Sequence, residues 1–247
     1  MMAVQLNAWL LFQNAQAHFG QTEIVSKAHD EVHRYTYAEF TRRTEQLMHA
    51  LDALDLAPGE RVATLAWNHY RHLECYFAVP CSGRVLHTVN IRLARDDLRY
   101  IIEHADDRAI FVDPDQVATL EQLAPALARV THIVVLGEVP RSTLPNLIGY
   151  EELIRGRPER YPPRDIPENT AMGLCYTSGT TGRPKGVVYT HRSTFLHSLA
   201  TTSAACAMPH ALAWNIGTIG ITASPGPSPT EAADVTISEC RNVERWV

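Results

Sequence analysis

The residue types best suited to chemistry sit in one run, Tyr176-Thr177-Ser178-Gly179-Thr180-Thr181-Gly182-Arg183-Pro184-Lys185-Gly186, between the short apolar stretches Ala171–Tyr176 and Val187–Thr190. Gly179 and Gly182 can take positive φ and let the backbone approach a ligand closely. Thr177, Ser178, Thr180 and Thr181 add hydroxyls, and successive backbone N–H groups can converge on phosphate oxygens. Pro184 donates no N–H and stiffens the exit, while Lys185 offers a mobile point charge for the outer phosphates. The chemistry these residues suit is the holding of a polyphosphate. The glycine spacing is not that of a Walker loop, and Lys185 is followed by Gly186 in place of Ser or Thr, which argues against a kinase or GTPase. A Gly/Thr-rich hairpin tip is also ordinary turn chemistry, but the length of the run and its Pro-Lys-Gly exit favour a phosphate loop.

Several elements must position that loop. The flanking apolar stretches read as the two strands of a hairpin. Upstream, residues 4–19 read as a helix ended by Phe19-Gly20, with the glycine as C-terminal cap. Glu23–Val25 and His33–Tyr35 read as a first hairpin, and Thr36-Tyr37-Ala38-Glu39 fits a capping box that opens a helix with Phe40, Leu47, Leu51 and Leu54 on one face, ended by Pro58-Gly59. Strands at 61–65, 85–89, 109–112 and 132–136 then alternate with helices at about 69–78, stopped by Pro80, 94–104 and 116–123, with Pro125 splitting the last. This alternation predicts an α/β fold, a parallel sheet flanked by helices on both faces through right-handed crossovers. Residues 137–170, rich in proline and charge, read as a surface connection, and 193–207 as a helix after the hairpin.

A chain of 247 residues buries roughly 70 to 75% of its unfolded surface and supports a real core. Lys and Arg total 22 against 27 Asp and Glu, a formal charge of −5, with no basic cluster, so nucleic acid is not an expected partner. Cys75, Cys81, Cys175, Cys206 and Cys240 show no metal spacing and no leader precedes them, which fits a reducing cytoplasm. His29 with His33, and His69 with His72, have helical metal-ligand spacing but no third ligand nearby, so no metal site is expected. No apolar run is long enough to span a membrane.

The loop, with Thr190-His191-Arg192 beyond it, resembles the signature of the AMP-forming adenylating enzymes: acyl-CoA synthetases, luciferases and nonribosomal peptide adenylation domains. Tyr35-Thr36-Tyr37-Ala38-Glu39-Phe40, Gly59-Glu60-Arg61-Val62-Ala63 and His87-Thr88-Val89-Asn90-Ile91-Arg92-Leu93 are similar to the matching stretches of medium- and long-chain fatty-acyl-CoA synthetases and of their relatives acting on methylmercaptopropionate. The resemblance covers residues 1–208 as the N-terminal part of an AMP-binding domain. It implies ATP, Mg²⁺, a fatty acid and coenzyme A as substrates or cofactors, with Thr177, Ser178, Gly179, Thr180, Thr181, Gly182 and Lys185 on the β- and γ-phosphates.

Residues 209–247 depart from the family. They run through Ala223-Ser224-Pro225-Gly226-Pro227-Ser228-Pro229 and read as an irregular tail, linker or disorder. His210-Ala211-Leu212-Ala213-Trp214 is faintly similar to the family's His motif but follows the helix too soon. The aromatic-Gly-x-Thr-Glu segment, the ribose-binding Asp and the small domain with a catalytic Lys that the resemblance implies do not occur. The expectation is a truncated, catalytically incomplete ligase, or a non-enzymatic nucleotide-binding or interaction module, with an uncovered apolar surface near the hairpin that favours self-association.

Overall fold

The computed structural model describes residues 4–28, 31–177, 183–206 and 235–237. Helix α1 (Ala8–His18) starts at Asn7, whose Oδ1 accepts the Leu10 N–H at 3.3 Å. It closes with the Phe19 N–H on Ala15 O; Gly20 keeps a negative φ, so the expected glycine cap is replaced by an ordinary helical bond. The segment before α1 is clasped to distant chain. The Leu6 N–H bonds Glu168 Oε2 at 2.9 Å, Asn7 Nδ2 bonds Ile166 O at 3.1 Å, and the Ala8 N–H bonds His191 Nδ1 at 3.2 Å.

Strands β1 (Glu23–Ala28) and β2 (Glu31–Thr36) form the first hairpin. Helix α2 (Tyr37–Ala53) opens on the expected capping box, with Thr36 and Glu39 exchanging side-chain and backbone bonds. It ends before Pro58-Gly59 is reached, because Asp55 turns left-handed at φ 54° just after the Leu54 cap. After β3 (Arg61–Leu65) comes α3 (Tyr70–Cys81), which runs through Pro80 instead of stopping before it. A proline there forfeits one backbone bond in a turn that is ending anyway, and the Ser82 N–H closes the helix on Ala78 O and Pro80 O.

Next come β4 (Val85–Thr88), α4 (Arg95–Ala105), β5 (Asp107–Val112), α5 (Val117–Gln122) and β6 (His132–Val135), with a 3-10 turn at Ala124–Leu127 where Pro125 interrupts the helix. The stretch 137–170 is not a surface connection. It holds β7 (Leu147–Gly149) and α6 (Tyr150–Ile154), and it buries Tyr150, Leu153, Ile154, Tyr161 and Ile166. Its apolar groups are too short to show a period and are separated by Pro and Arg, which hid them. The chain continues through β8 (Ala171–Thr177), β9 (Lys185–Thr190), α7 (His191–Cys206) and β10 (Val235–Ile237).

The main sheet has the order β7-β6-β5-β3-β4-β8-β9, parallel from β7 to β8 with β9 antiparallel at the edge. Alternate residues feed two cores. Val62, Leu86, Ala109, Phe111 and Val134 face α1, α2, α3 and α6. Ala63, Leu65, Ile110, Val112 and Val135 face α4 and α5. This is the predicted sheet covered on both sides. In the tail, β10 pairs parallel with β1, Ile24 opposite Val235, so one short strand stands where only irregular chain was expected. His210–Trp214 and the proline-rich stretch lie outside the described residues.

Candidate functional site

Because β8 runs parallel to β4, its hairpin with β9 projects from the carboxyl edge of the parallel strands, where open α/β sheets bind ligands. The last rungs before the tip are Tyr176 opposite Gly186 and Thr177 opposite Lys185. Of the residues expected to hold phosphate, Thr177 and Lys185 thus stand side by side, and both are exposed. Ser178, Gly179, Thr180, Thr181 and Gly182 lie outside the described residues. Thr177 Oγ1 reaches Lys185 O only at 3.5 Å, too long to tie up the hydroxyl firmly.

The base of the hairpin is built by residues that sequence reasoning left without a role. A Cβ on Gly186 would come within 3.3 Å of Leu174 Cδ1 and of Tyr176 Cζ, so glycine at 186 lets the Tyr176 ring lie across β9. The pairing of a large residue with glycine across a hairpin was the available signal. The Tyr176 hydroxyl meets His104 Nδ1 at 2.6 Å, and burial, helped by the charge of Asp107, pushes it up to about 12. Its ring centroid is 5.3 Å from that of His87.

His87 Nδ1 lies 2.9 Å from both Asp107 carboxylate oxygens, and both side chains are fully buried. Burial raises the Asp107 carboxyl, with His87 opposing. On the exit arm, Arg183 lies over the Tyr100 ring at 5.0 Å and Pro184 is buried.

Other candidate chemistry is spent on structure. His69 Nε2 bonds Asp113 Oδ1 at 2.8 Å, and His72 bonds Trp67 O and Thr64 Oγ1, each at 3.0 Å. His33 stacks on Tyr70 at 3.7 Å, and His29 lies outside the described residues. Among the described residues no group of three or more His, Cys, Asp or Glu could hold a metal ion. Burial raises the thiols of Cys75, Cys81 and Cys175, which keeps them from acting as nucleophiles. No helix among the described residues is long and apolar enough to cross a membrane.

The family model for AMP-binding enzymes matches residues 11–224. A long-chain-fatty-acid–CoA ligase of Thermus thermophilus is 47% identical over 204 residues, 82% of this chain and 36% of the ligase. A medium-chain-fatty-acid–CoA ligase of Ectopseudomonas oleovorans is 40% identical, over 86% of this chain and 39% of the ligase. A 3-methylmercaptopropionyl-CoA ligase of Ruegeria lacuscaerulensis is 42% identical, over 82% and 38% respectively. The chain therefore spans little more than a third of the length of these relatives. In fold it is similar to the anthranilate CoA ligase AuaEII in complex with anthranoyl-AMP, with a TM-score of 0.72 at 23% identity, covering 80% of this chain and 37% of that one. ATP-bound MatB of Rhodopseudomonas palustris gives a TM-score of 0.68 at 23% identity, covering 83% and 39%.

Proposed function

This chain belongs to the AMP-binding enzyme family, and from that premise we propose that it supplies the phosphate-gripping part of a ligase that activates a fatty acid with ATP and transfers the acyl group to coenzyme A. On this reading residues 1–208 are the N-terminal part of the AMP-binding domain and 209–247 a divergent tail, although the family match runs on to residue 224 and β10 of the tail pairs with β1. A carboxylate oxygen of the acid attacks the α-phosphorus and pyrophosphate leaves; the thiol of coenzyme A then attacks the acyl carbon, AMP leaves, and the thiol proton passes to solvent. Thr177, Ser178, Gly179, Thr180, Thr181, Gly182 and Lys185 hold the β- and γ-phosphates, which become the leaving group, and offset their growing charge. Magnesium, when bound, would further neutralise the phosphate charge that these residues face. The observation that carries this reading is the exposed Thr177–Lys185 rung at the carboxyl edge of the sheet. The unpaired thiols of Cys75, Cys81 and Cys175 suit a cytoplasmic setting.

The loop is not expected to suffice alone. Three or four charge-assisted hydrogen bonds supply roughly 5 to 12 kcal/mol, against an association cost of about 4 to 15 kcal/mol. Calorimetry of the 247-residue chain should therefore show weak ATP binding, and Lys185→Ala should weaken it by about tenfold or more, the value of one charge-assisted contact. ATP–pyrophosphate exchange with acids of increasing length should stay at background. Exchange at an ordinary enzymic rate would overturn the view that these residues are catalytically incomplete. The same exposed Thr177–Lys185 rung also fits a second reading, a non-enzymatic nucleotide-binding module. Tight, Lys185-dependent binding without exchange would be its signature.

Self-association is also expected. Edge strand β9 leaves Val187, Val188 and Tyr189 at 38, 59 and 46% exposure, and α7 leaves Leu196 and Leu199 at 40 and 56%. Unpaired edges with apolar faces pair with other chains. Sedimentation should show concentration-dependent association that Val188→Lys with Leu199→Lys suppresses; a monomer at all concentrations would refute it.

A further inference from the structure

We propose that α4 is the positioning element of the phosphate hairpin, with Tyr100 and His104 as positioning residues for its two arms; the nucleotide part of this proposal rests on the reading above. The two residues are four apart in sequence, so they share one helix face, and their rings lie 5.2 Å apart. His104 takes the entry arm through the Tyr176 hydroxyl at 2.6 Å, and Tyr100 takes the exit arm through the Arg183 guanidinium at 5.0 Å. The side chains that bracket the tip thus converge on a single turn of helix.

That turn is itself fixed to the sheet. Arg61 of β3 donates to Ala105 O at 2.7 Å and to Asp106 O at 2.9 Å, gripping the end of α4. Asp106 then turns left-handed into β5, φ 56°. Tyr176 has little freedom to rest elsewhere: Gly186 opens the space its ring fills, and the buried His87–Asp107 pair stands behind it. A continuous path of contacts therefore leads from β3 through the end of α4 to both arms of the hairpin, and it fixes where Tyr176 and Arg183 stand.

His104 and Arg183 are exposed, so their contacts add little to global stability, and local and global effects can be separated. The full chain without nucleotide, as wild type, His104→Ala/Tyr100→Ala and His104→Gln, would be followed by amide exchange in the rungs at residues 174–177 and 185–188 and by thermal unfolding. An exposed cation–π contact and one hydrogen bond together predict rungs that exchange about tenfold faster in the double variant. The β3 and β5 rungs and the unfolding midpoint should stay near wild type. His104→Gln, which keeps an acceptor for the Tyr176 hydroxyl, should restore most of the protection. Unchanged hairpin exchange in the double variant overturns the proposal, as does loosening spread evenly over the sheet. ATP titration of the same proteins supplies the second arm. Affinity should fall in step with hairpin protection, and loosened rungs with undiminished affinity would overturn the link to nucleotide. If the wild type binds no ATP, the phosphate reading fails, while the exchange data still decide whether α4 positions the hairpin.

Discussion

Acidification from neutral pH to about pH 4.5 is expected to remove several kcal/mol of stability, largely through His72 and His191. Burial, reinforced by neighbouring His69, lowers His72 from 6.5 to about 4, and burial lowers His191 to the same value. His72 donates from Nδ1 to Trp67 O and accepts from Thr64 at Nε2, so no lone pair is left for a second proton. His191 uses its Nδ1 lone pair to accept the Ala8 N–H, which places its own proton on Nε2. In the unfolded chain both titrate near 6.5. Between about 6.5 and 4 the unfolded state binds more protons than the folded one, so stability is complete above that window and is lost as pH falls through it. At about 1.4 kcal/mol per pKa unit, each histidine contributes roughly 3 kcal/mol. The raised carboxyls of Glu74 and Asp107 act in the opposite sense and offset part of the loss. Urea unfolding across this range measures the slope. His191→Asn, whose Oδ1 can accept the Ala8 N–H without titrating, should flatten it, and a variant as acid-sensitive as wild type would count against the assignment.

Glu74→Ala is expected to cost about 3 to 5 kcal/mol. The Glu74 side chain is fully buried and accepts from Arg43 Nε at 2.7 Å, Arg43 NH2 at 3.3 Å and the Tyr150 hydroxyl at 2.5 Å. Burial pushes its carboxyl up, with Arg43 opposing. Removing it strands a buried phenol and takes from Arg43 one of two carboxylate partners, leaving Glu151 at 3.0 Å. The deficit is the penalty of orphaned groups more than the worth of the pair. A triple replacement, Glu74→Leu with Arg43→Met and Tyr150→Phe, should therefore be markedly more stable than Glu74→Ala. Equal losses in the two proteins would show that the contacts themselves, and not the stranded partners, set the cost.

Much of this architecture was legible from residue type. The Thr36–Glu39 capping box, the alternation of apolar runs with amphipathic helices, and the two short strands flanking the Gly/Thr run each express a local rule that the tertiary structure obeys. Pro80 misled because a proline near a helix end costs little. Tyr150 was missed because its burial depends on Glu74, far away in sequence, and not on any local period. The site divided in the same way. Thr177 and Lys185 are candidates from the run itself, and what the structure adds is that they pair across the hairpin. Tyr100 and His104 look like ordinary residues of an exposed helix face until the sheet brings β8 alongside β4. Contacts between elements distant in sequence leave no periodic trace, and the support of the hairpin consists of such contacts.

The clasp on the first helix bears on how the polypeptide is made. Its three bonds reach 162, 159 and 183 residues ahead, to Glu168, Ile166 and His191. A nascent chain leaves the ribosome N-terminus first, so Leu6, Asn7 and Ala8 emerge long before their partners have been synthesised. Closure entropy for such spans must be met before the bonds return anything. Leu6, Asn7 and Ala8 are thus secured only once the chain has been made as far as His191, although Phe12 beside them meets its ring partners Phe40 and Phe77 much earlier.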